Sequence, residues 1–260
     1  MPELPEVEAY RLLAEGALHR EIAMVVAPDP WFLKGGIDAG MLDDVLVGRR
    51  FVEAGRIGKL LLLPVEHGPV VGIRFGMTGT LVVDGTSGVD GLLYAPRRHE
   101  PAWDRFSIGF ADGGSLVVRD PRRLGGISLD PATAGLGPDA ASLTVAELTA
   151  ALAGSKAPVK ARLLDQSRIS GVGNLIGDEV LWRSGLSPQR AAGSLSTDEL
   201  RTLHGALAEV IADLLARGGS HLGDLMEERH VGGRCPKDGT ELVRATIGGR
   251  TSWWCPVHQH

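Results

Sequence analysis

A chain of 260 residues with 43% hydrophobic and 23% charged content carries enough apolar material for sizeable cores, and divides into two or three units. No apolar run approaches the roughly 18 residues that mark a membrane span, and the acidic start lacks the basic and apolar regions of a signal peptide, which points to a cytoplasmic protein. The formal net charge of −5 argues against a protein that coats nucleic acid indiscriminately, while leaving room for a basic footprint on one face.

The chain opens Met1-Pro2-Glu3-Leu4-Pro5-Glu6. Over 4–19, the apolar groups Val7, Tyr10, Leu13, Ala14, Ala17 and Leu18 follow a helical period behind an acidic first turn, so a helix should carry Pro2 and Glu3 at its N-terminal end. A proline in second place permits removal of Met1. The free secondary amine left on Pro2 would attack an electrophilic sugar or carbonyl carbon and form an iminium, with Glu3 beside it as acid or base. Proline and glutamate also simply suit a first helical turn, so the hexamer alone leaves both readings open.

From about 22 to 130 the texture changes to short apolar runs, Leu60 to Leu63, Val70 to Ile73 and Ser115 to Val118, punctuated by Gly, Pro and Asp. Such runs predict short strands in a β-sandwich or barrel. Residues 144–217 predict four helices, with capping boxes at Thr144/Glu147 and Ser196/Glu199, terminators at Gly154 and Gly218-Gly219, and Pro158 in the first turn of the second. Ser170-Gly171-Val172-Gly173-Asn174 is a glycine-rich turn into the third. The last thirty or so residues, with both cysteines, glycine-rich turns, Trp253 and Trp254, have the texture of a hairpin.

Three segments carry chemistry. Gly171-Val172-Gly173-Asn174 lacks the dinucleotide spacing. It is either a tight helix corner or a place where backbone and the Asn174 amide approach a phosphate. Asp120-Pro121-Arg122-Arg123-Leu124-Gly125 is either a solvated turn or an arginine beside an apolar wedge fit to enter an opened base stack. Cys235-x2-Asp238-x16-Cys255-x2-His258 has the two-knuckle rhythm of a zinc hairpin with Asp and His at two positions. Its competitors are one disulfide and a metal-free hairpin held by tryptophan packing. Arg250, in the hairpin arm, would project a guanidinium toward a phosphate.

Taken together these segments resemble the Fpg/Nei family of bifunctional DNA glycosylases. The resemblance runs in the family's order through PELPEVE at the start, GRIGKLLLL around Lys59, RFGMTG around Met77, DPRRLGG, LGPD at 136–139, SGVGN and the terminal CPVHQ. It implies an α+β fold: an N-terminal catalytic helix with a β-sandwich (1–130), a helix–two-turn–helix DNA-binding domain (131–222) and a zinc-finger-like hairpin (223–260). It implies a base-excision-repair enzyme in which Pro2 attacks C1′ of a damaged nucleotide to give a Schiff base, Glu3 protonates the sugar, and two eliminations cut the strand. By the same resemblance, Glu6 and Glu179 are carboxylates near the site and Lys59, Asn174 and Arg250 a phosphate clamp. Met77, Arg122 and Leu124 fill the hole left by the flipped nucleotide, and Cys235, Asp238, Cys255 and His258 hold a structural Zn²⁺. The implied partner is damaged double-stranded DNA, met by a monomer needing no redox or nucleotide cofactor.

The chain also departs from the family pattern. Only a short segment separates Gly218-Gly219-Ser220 from Cys235, where the family's 8-oxoguanine enzymes carry a longer insert over the flipped purine. Arg74 replaces a usual histidine, Ile176 a frequent tyrosine, and Leu124 the usual aromatic wedge. Three alternatives accompany the glycosylase reading: an abasic-site lyase with little glycosylase activity, a noncatalytic damage-binding protein, and a zinc-hairpin regulatory protein. The last leaves the opening hexamer unexplained.

Overall fold

The computed structural model describes residues 2–260 apart from 90, 91, 93–95, 97 and 99. Met1, whose removal is expected, lies outside the described residues. The chain folds as two units, Met1–Ala134 and Gly135–His260.

In the first unit, helix α1 (Leu4–Ala14) starts at Glu3, with a reciprocal capping box between Glu3 and Glu6 and Pro5 in its first turn. It stops short of the expected 4–19. Gly16 weakens the last turn, so Glu15–Ala17 tightens into a 3₁₀ turn, and Leu18 is drawn into a parallel bridge with Phe51. Strand β1 (Ile22–Val26) follows, then helix α2 (Ala39–Leu46), a helix within the stretch whose texture predicts only short strands. Asp38 caps α2 through its carboxylate to the Met41 amide at 2.9 Å, and Leu42 and Leu46 share its buried face.

The strands that follow are β2 (Gly55–Ile57), β3 (Leu60–Pro64), β4 (Val70–Arg74), β5 (Thr80–Val83), β6 (Thr86–Ser87), β7 (Asp104–Phe110), β8 (Ser115–Arg119) and β9 (Gly126–Leu129). They form two antiparallel sheets, ordered β1-β7-β8-β5-β6 and β2-β3-β4-β9. Inward residues of both sheets, such as Phe106, Ile108 and Val118 on one and Leu61, Ile73 and Ile127 on the other, join Val7, Tyr10 and Ala14 of α1 in a single core. This is a β-sandwich. Each large apolar side chain so buried contributes about 1.5–3 kcal/mol.

The second unit holds α3 (Val145–Leu152), α4 (Val159–Leu163), α5 (Asn174–Ser184) and α6 (Thr197–Arg217), then the hairpin β10 (Val243–Ile247) and β11 (Arg250–Trp254). Both expected capping boxes form, Thr144 with Glu147 and Ser196 with Glu199. Pro158 is the N-cap of α4, and Gly218 ends α6 in the left-handed region at φ 93°. Gly248 and Gly249, at φ 57° and 73°, make the two-residue turn of the hairpin, whose twist suits strand pairing.

Candidate active site

The start of α1 places two carboxylates and Pro2 together. Pro2, Glu3 and Glu6 are all buried, and the Glu3 amide donates to Glu6 Oε2 at 2.8 Å, so the peptide linking Pro2 to Glu3 has a fixed orientation. Pro2, Lys59, Arg74, Phe75, Gly76 and Leu124 line one cleft of about 190 Å³. Lys59 reaches it from the β2–β3 turn, which Gly58 closes at φ 57°. Arg56 braces that turn: it donates to the Gly58 carbonyl at 2.8 Å and to Glu8 of α1 at 2.9 Å. Burial opposes ionisation of Glu8, yet its bonds from Arg11 and Arg56 prevail and hold the carboxyl below its ordinary range.

Tyr10 fixes the loop that carries Met77. Its ring lies 4.5 Å from that of Phe75, and its hydroxyl donates to the Gly79 carbonyl at 3.3 Å. Burial, and after it the negative Glu6, push the phenol well above its usual range, so it stays a neutral donor. Met77 itself is half-buried.

Asp120 organises the facing loop. Fully buried, it accepts the Thr78 hydroxyl (2.6 Å) and the amides of Arg122 (3.1 Å), Leu124 (2.8 Å) and Gly125 (2.8 Å). The backbones meet so closely that a Cβ on Gly76 would lie 2.4 Å from the Leu124 carbonyl carbon. The two adjacent arginines diverge. Arg123, at φ 57°, forks onto Asp29 with two bonds of 2.6 Å, and this pairing holds the Asp29 carboxyl below its ordinary range. Arg122 is exposed and makes no ion pair among the described residues, and Leu124 is 51% exposed beside it. One arginine is a strut and the other is open to a ligand.

The second unit carries Asn174, Glu179 and Arg250. Asn174 opens α5 behind the glycine turn, and among the described residues its Oδ1 has no hydrogen-bond partner. Glu179 accepts the amides of Asp224 (3.1 Å) and Leu225 (3.0 Å) and Arg183 Nε (2.8 Å). It thereby pins the segment between α6 and Cys235, which consists of short 3₁₀ turns at Ser220–Leu222 and Met226–Glu228. Arg250 is exposed at the first position of β11. Beneath that strand the fully buried Lys160 donates to Asp178 (2.5 Å), Ser252 Oγ (2.6 Å) and the Thr251 carbonyl (3.2 Å). Asp178 takes Arg229 on its other oxygen at 2.7 Å. Sequence reasoning missed this network, as it missed Asp120.

Cys235, Asp238, Cys255 and His258 bring one ligand atom each within 4.8 Å of one another. Two tight turns do this. Gly239, at φ 73°, lets the Thr240 amide reach Asp238 Oδ1 at 2.8 Å, and the Cys255 amide donates to Gln259 Oε1 at 2.8 Å. Both cysteines are free thiols, so no disulfide competes. The Thr240 amide, and then the Cys255 thiol, hold the Asp238 carboxyl far below its usual range, while burial pushes the Cys255 thiol up. Two sulfurs, an imidazole nitrogen and a carboxylate oxygen suit a tetrahedral zinc ion in number and kind. Trp253, Leu242 and Trp182 pack with the two cysteines in one small core.

Comparison with known proteins accounts for this assembly of parts. Residues 1–127 match the formamidopyrimidine-DNA glycosylase N-terminal domain and residues 134–225 the formamidopyrimidine-DNA glycosylase H2TH domain. Formamidopyrimidine-DNA glycosylase of Chelativorans sp. is 34% identical with all of both chains covered, and that of Chloroflexus aggregans is 33% identical over all of this chain and 98% of its own. Among solved structures, the Lactococcus lactis Fpg complex with DNA containing an abasic site superposes with TM-score 0.83 at 25% identity, covering both chains fully. A complex of a mutant of the Lactococcus lactis protein with Fapy-dG DNA gives the same score, identity and coverage. By fold, by domain content and by full-length relatives, this chain belongs to the formamidopyrimidine-DNA glycosylase family.

Proposed function

We propose that this protein is a base-excision-repair DNA glycosylase with abasic-site lyase activity, which removes oxidised bases from double-stranded DNA through a Schiff base on Pro2. The observation that carries the proposal is the cleft that Pro2 shares with Lys59, Arg74 and Leu124 at the capped start of α1. The Lactococcus lactis structures hold DNA with an abasic site or Fapy-dG, which supports damaged DNA as the substrate.

With Met1 removed, the Pro2 nitrogen regains a lone pair. It adds to C1′ as the glycosidic bond breaks and the base leaves with the bonding electrons. Glu3 protonates the ring oxygen, so the sugar opens to the iminium, and two eliminations then expel the phosphates on either side. Glu6 fixes the Glu3 amide and Glu179 fixes the turn at 223–225. Lys59, Asn174 and Arg250 hold phosphates, while Met77, Arg122 and Leu124 occupy the stack that the flipped nucleotide leaves. Cys235, Asp238, Cys255 and His258 would hold a structural zinc, which supplies folding energy to the hairpin that presents Arg250.

Borohydride trapping tests the proposal. The processed wild-type protein should form a covalent adduct on abasic DNA and on duplexes with oxidised bases, and Pro2→Gly should weaken it greatly. An adduct undiminished in Pro2→Gly, or one mapping to Lys59, reassigns the nucleophile. Adducts on abasic DNA alone favour a lyase with little glycosylase activity.

A further inference from the structure

We infer that Trp182 is the positioning residue that adapts this hairpin to a ligand set containing histidine, by fixing which nitrogen of His258 faces the metal and by supporting the Cys235 thiolate. The inference rests on reading Cys235, Asp238, Cys255 and His258 as zinc ligands. Trp182 belongs to α5, outside the hairpin, and is buried. It reaches the cluster twice. Its indole Nε1–H donates to Cys235 Sγ at 3.4 Å, and its own backbone carbonyl lies 3.0 Å from His258 Nε2. The two rings meet edge to face, with centroids 6.1 Å apart.

A carbonyl oxygen only accepts, so the Nε2 facing it carries the proton. The lone pair of a neutral imidazole then resides on Nδ1, which points into the cluster, 3.4 Å from Cys235 Sγ and 3.6 Å from Asp238 Oδ2. Coordination through Nε2 would require turning the ring and breaking the bond to Trp182. Two thiolates and a carboxylate crowded together repel one another, and a donor aimed at one sulfur offsets part of that repulsion. The same carbonyl accepts Lys237 Nζ at 3.1 Å, and the ammonium sits 4.8 Å above the Trp182 ring. A carbonyl with two lone pairs serves both donors. Contacts of this kind are worth about 10–100-fold in metal affinity elsewhere, and here both come from one residue.

Three measurements on the full chain test this. In the zinc-loaded wild type, long-range ¹H–¹⁵N correlation of the imidazole should show Nδ1 bound and Nε2 protonated. Competition for Zn²⁺ with a chromophoric chelator should show Trp182→Phe binding about tenfold or more weakly, at unchanged helix content by circular dichroism. With Co²⁺ as probe, the sulfur-to-cobalt charge-transfer band of Trp182→Phe should move from its wild-type position, because the thiolate has lost a donor. Nε2 coordination in the wild type overturns the inference and needs no variant to fold. Equal affinity and an unmoved band in a folded Trp182→Phe also overturn it, while leaving the metal reading intact. A wild type that takes up no zinc removes both. Borohydride trapping judges the glycosylase reading independently of all three.

Discussion

The Thr78 hydroxyl donates to the Asp120 carboxylate at 2.6 Å, and this bond unites the loop that carries Met77 with the loop that carries Arg122 and Leu124. Because Asp120 also accepts three amides of the second loop, one buried carboxylate sets the relative position of every proposed stack-filling side chain.

Asp120→Asn should therefore weaken binding to lesion duplex much more than binding to intact duplex. Asparagine turns one accepting oxygen into a donor that faces other donors, at about 1–3 kcal/mol for each group left unmet. The salt dependence should not change, since no phosphate partner is lost. Fluorescence of 2-aminopurine opposite the lesion reports whether the hole is still filled, and a wild-type response would contradict this role. Thr78→Val should reproduce part of the effect.

Glu3→Gln should slow release of an intact base by about 10²–10⁴-fold, and should affect cleavage of preformed abasic sites less. The closed sugar of an intact nucleotide needs the proton more. Parallel single-turnover assays on the two substrates measure the difference, and equal losses would remove Glu3 from the acid's role.

Neutralising Lys59 or Arg250 should each shallow the slope of log affinity against log salt by about one unit, as loss of one phosphate contact requires. Met77→Ala should lower lesion affinity at an unchanged slope, because it fills space without charge. Titrations across a salt series distinguish the cases.

Lys160→Met should destabilise the protein by about 3–5 kcal/mol, since it strips a partner from the buried Asp178. Denaturant unfolding measures this. Phosphate binding through Arg250 should fall with it, because Lys160 holds the carbonyl of Thr251 and the hydroxyl of Ser252, the next residues of β11.

Acid should loosen the first unit at the clamp of Arg20 on Asp84 and Asp112. The Arg20 guanidinium, and after it the Gly114 amide, bring the Asp112 carboxyl from 3.8 down to about 2, and Arg20 lowers Asp84 in the same direction. A carboxyl lowered by folding adds stability above its unfolded value and loses it as pH falls through the folded one. Thermal midpoints of the wild type should thus decline between pH 3.8 and about 2. Arg20→Met should flatten that part of the decline.

What the sequence revealed was what neighbouring residues decide. Thr144 with Glu147, Ser196 with Glu199, and Gly218 after α6 are local signals, and each formed where the spacing put it. Helix α2 was overlooked because a Gly- and Asp-rich stretch hides the cap at Asp38. Asp120 and Trp182 were beyond reach for another reason. Their partners stand 42 and 53 positions away for Thr78 and Cys235, so only the fold shows what they hold. Asp120 lay inside a motif noticed for its arginines, and of that pair only the structure separates the strut Arg123 from the open Arg122.

The buried, capped beginning of α1 has a consequence for how the protein is made. Residues near a chain end usually fray, yet Glu3 is buried and its amide is tied to Glu6. A retained methionine or a fused tag would turn the Pro2 nitrogen into an amide, its lone pair delocalised into the carbonyl. If Pro2 is the nucleophile, as proposed, such a product would melt, migrate and grip DNA much as the mature protein does while being chemically inert, so aminopeptidase trimming would act as the last step in switching on the enzyme.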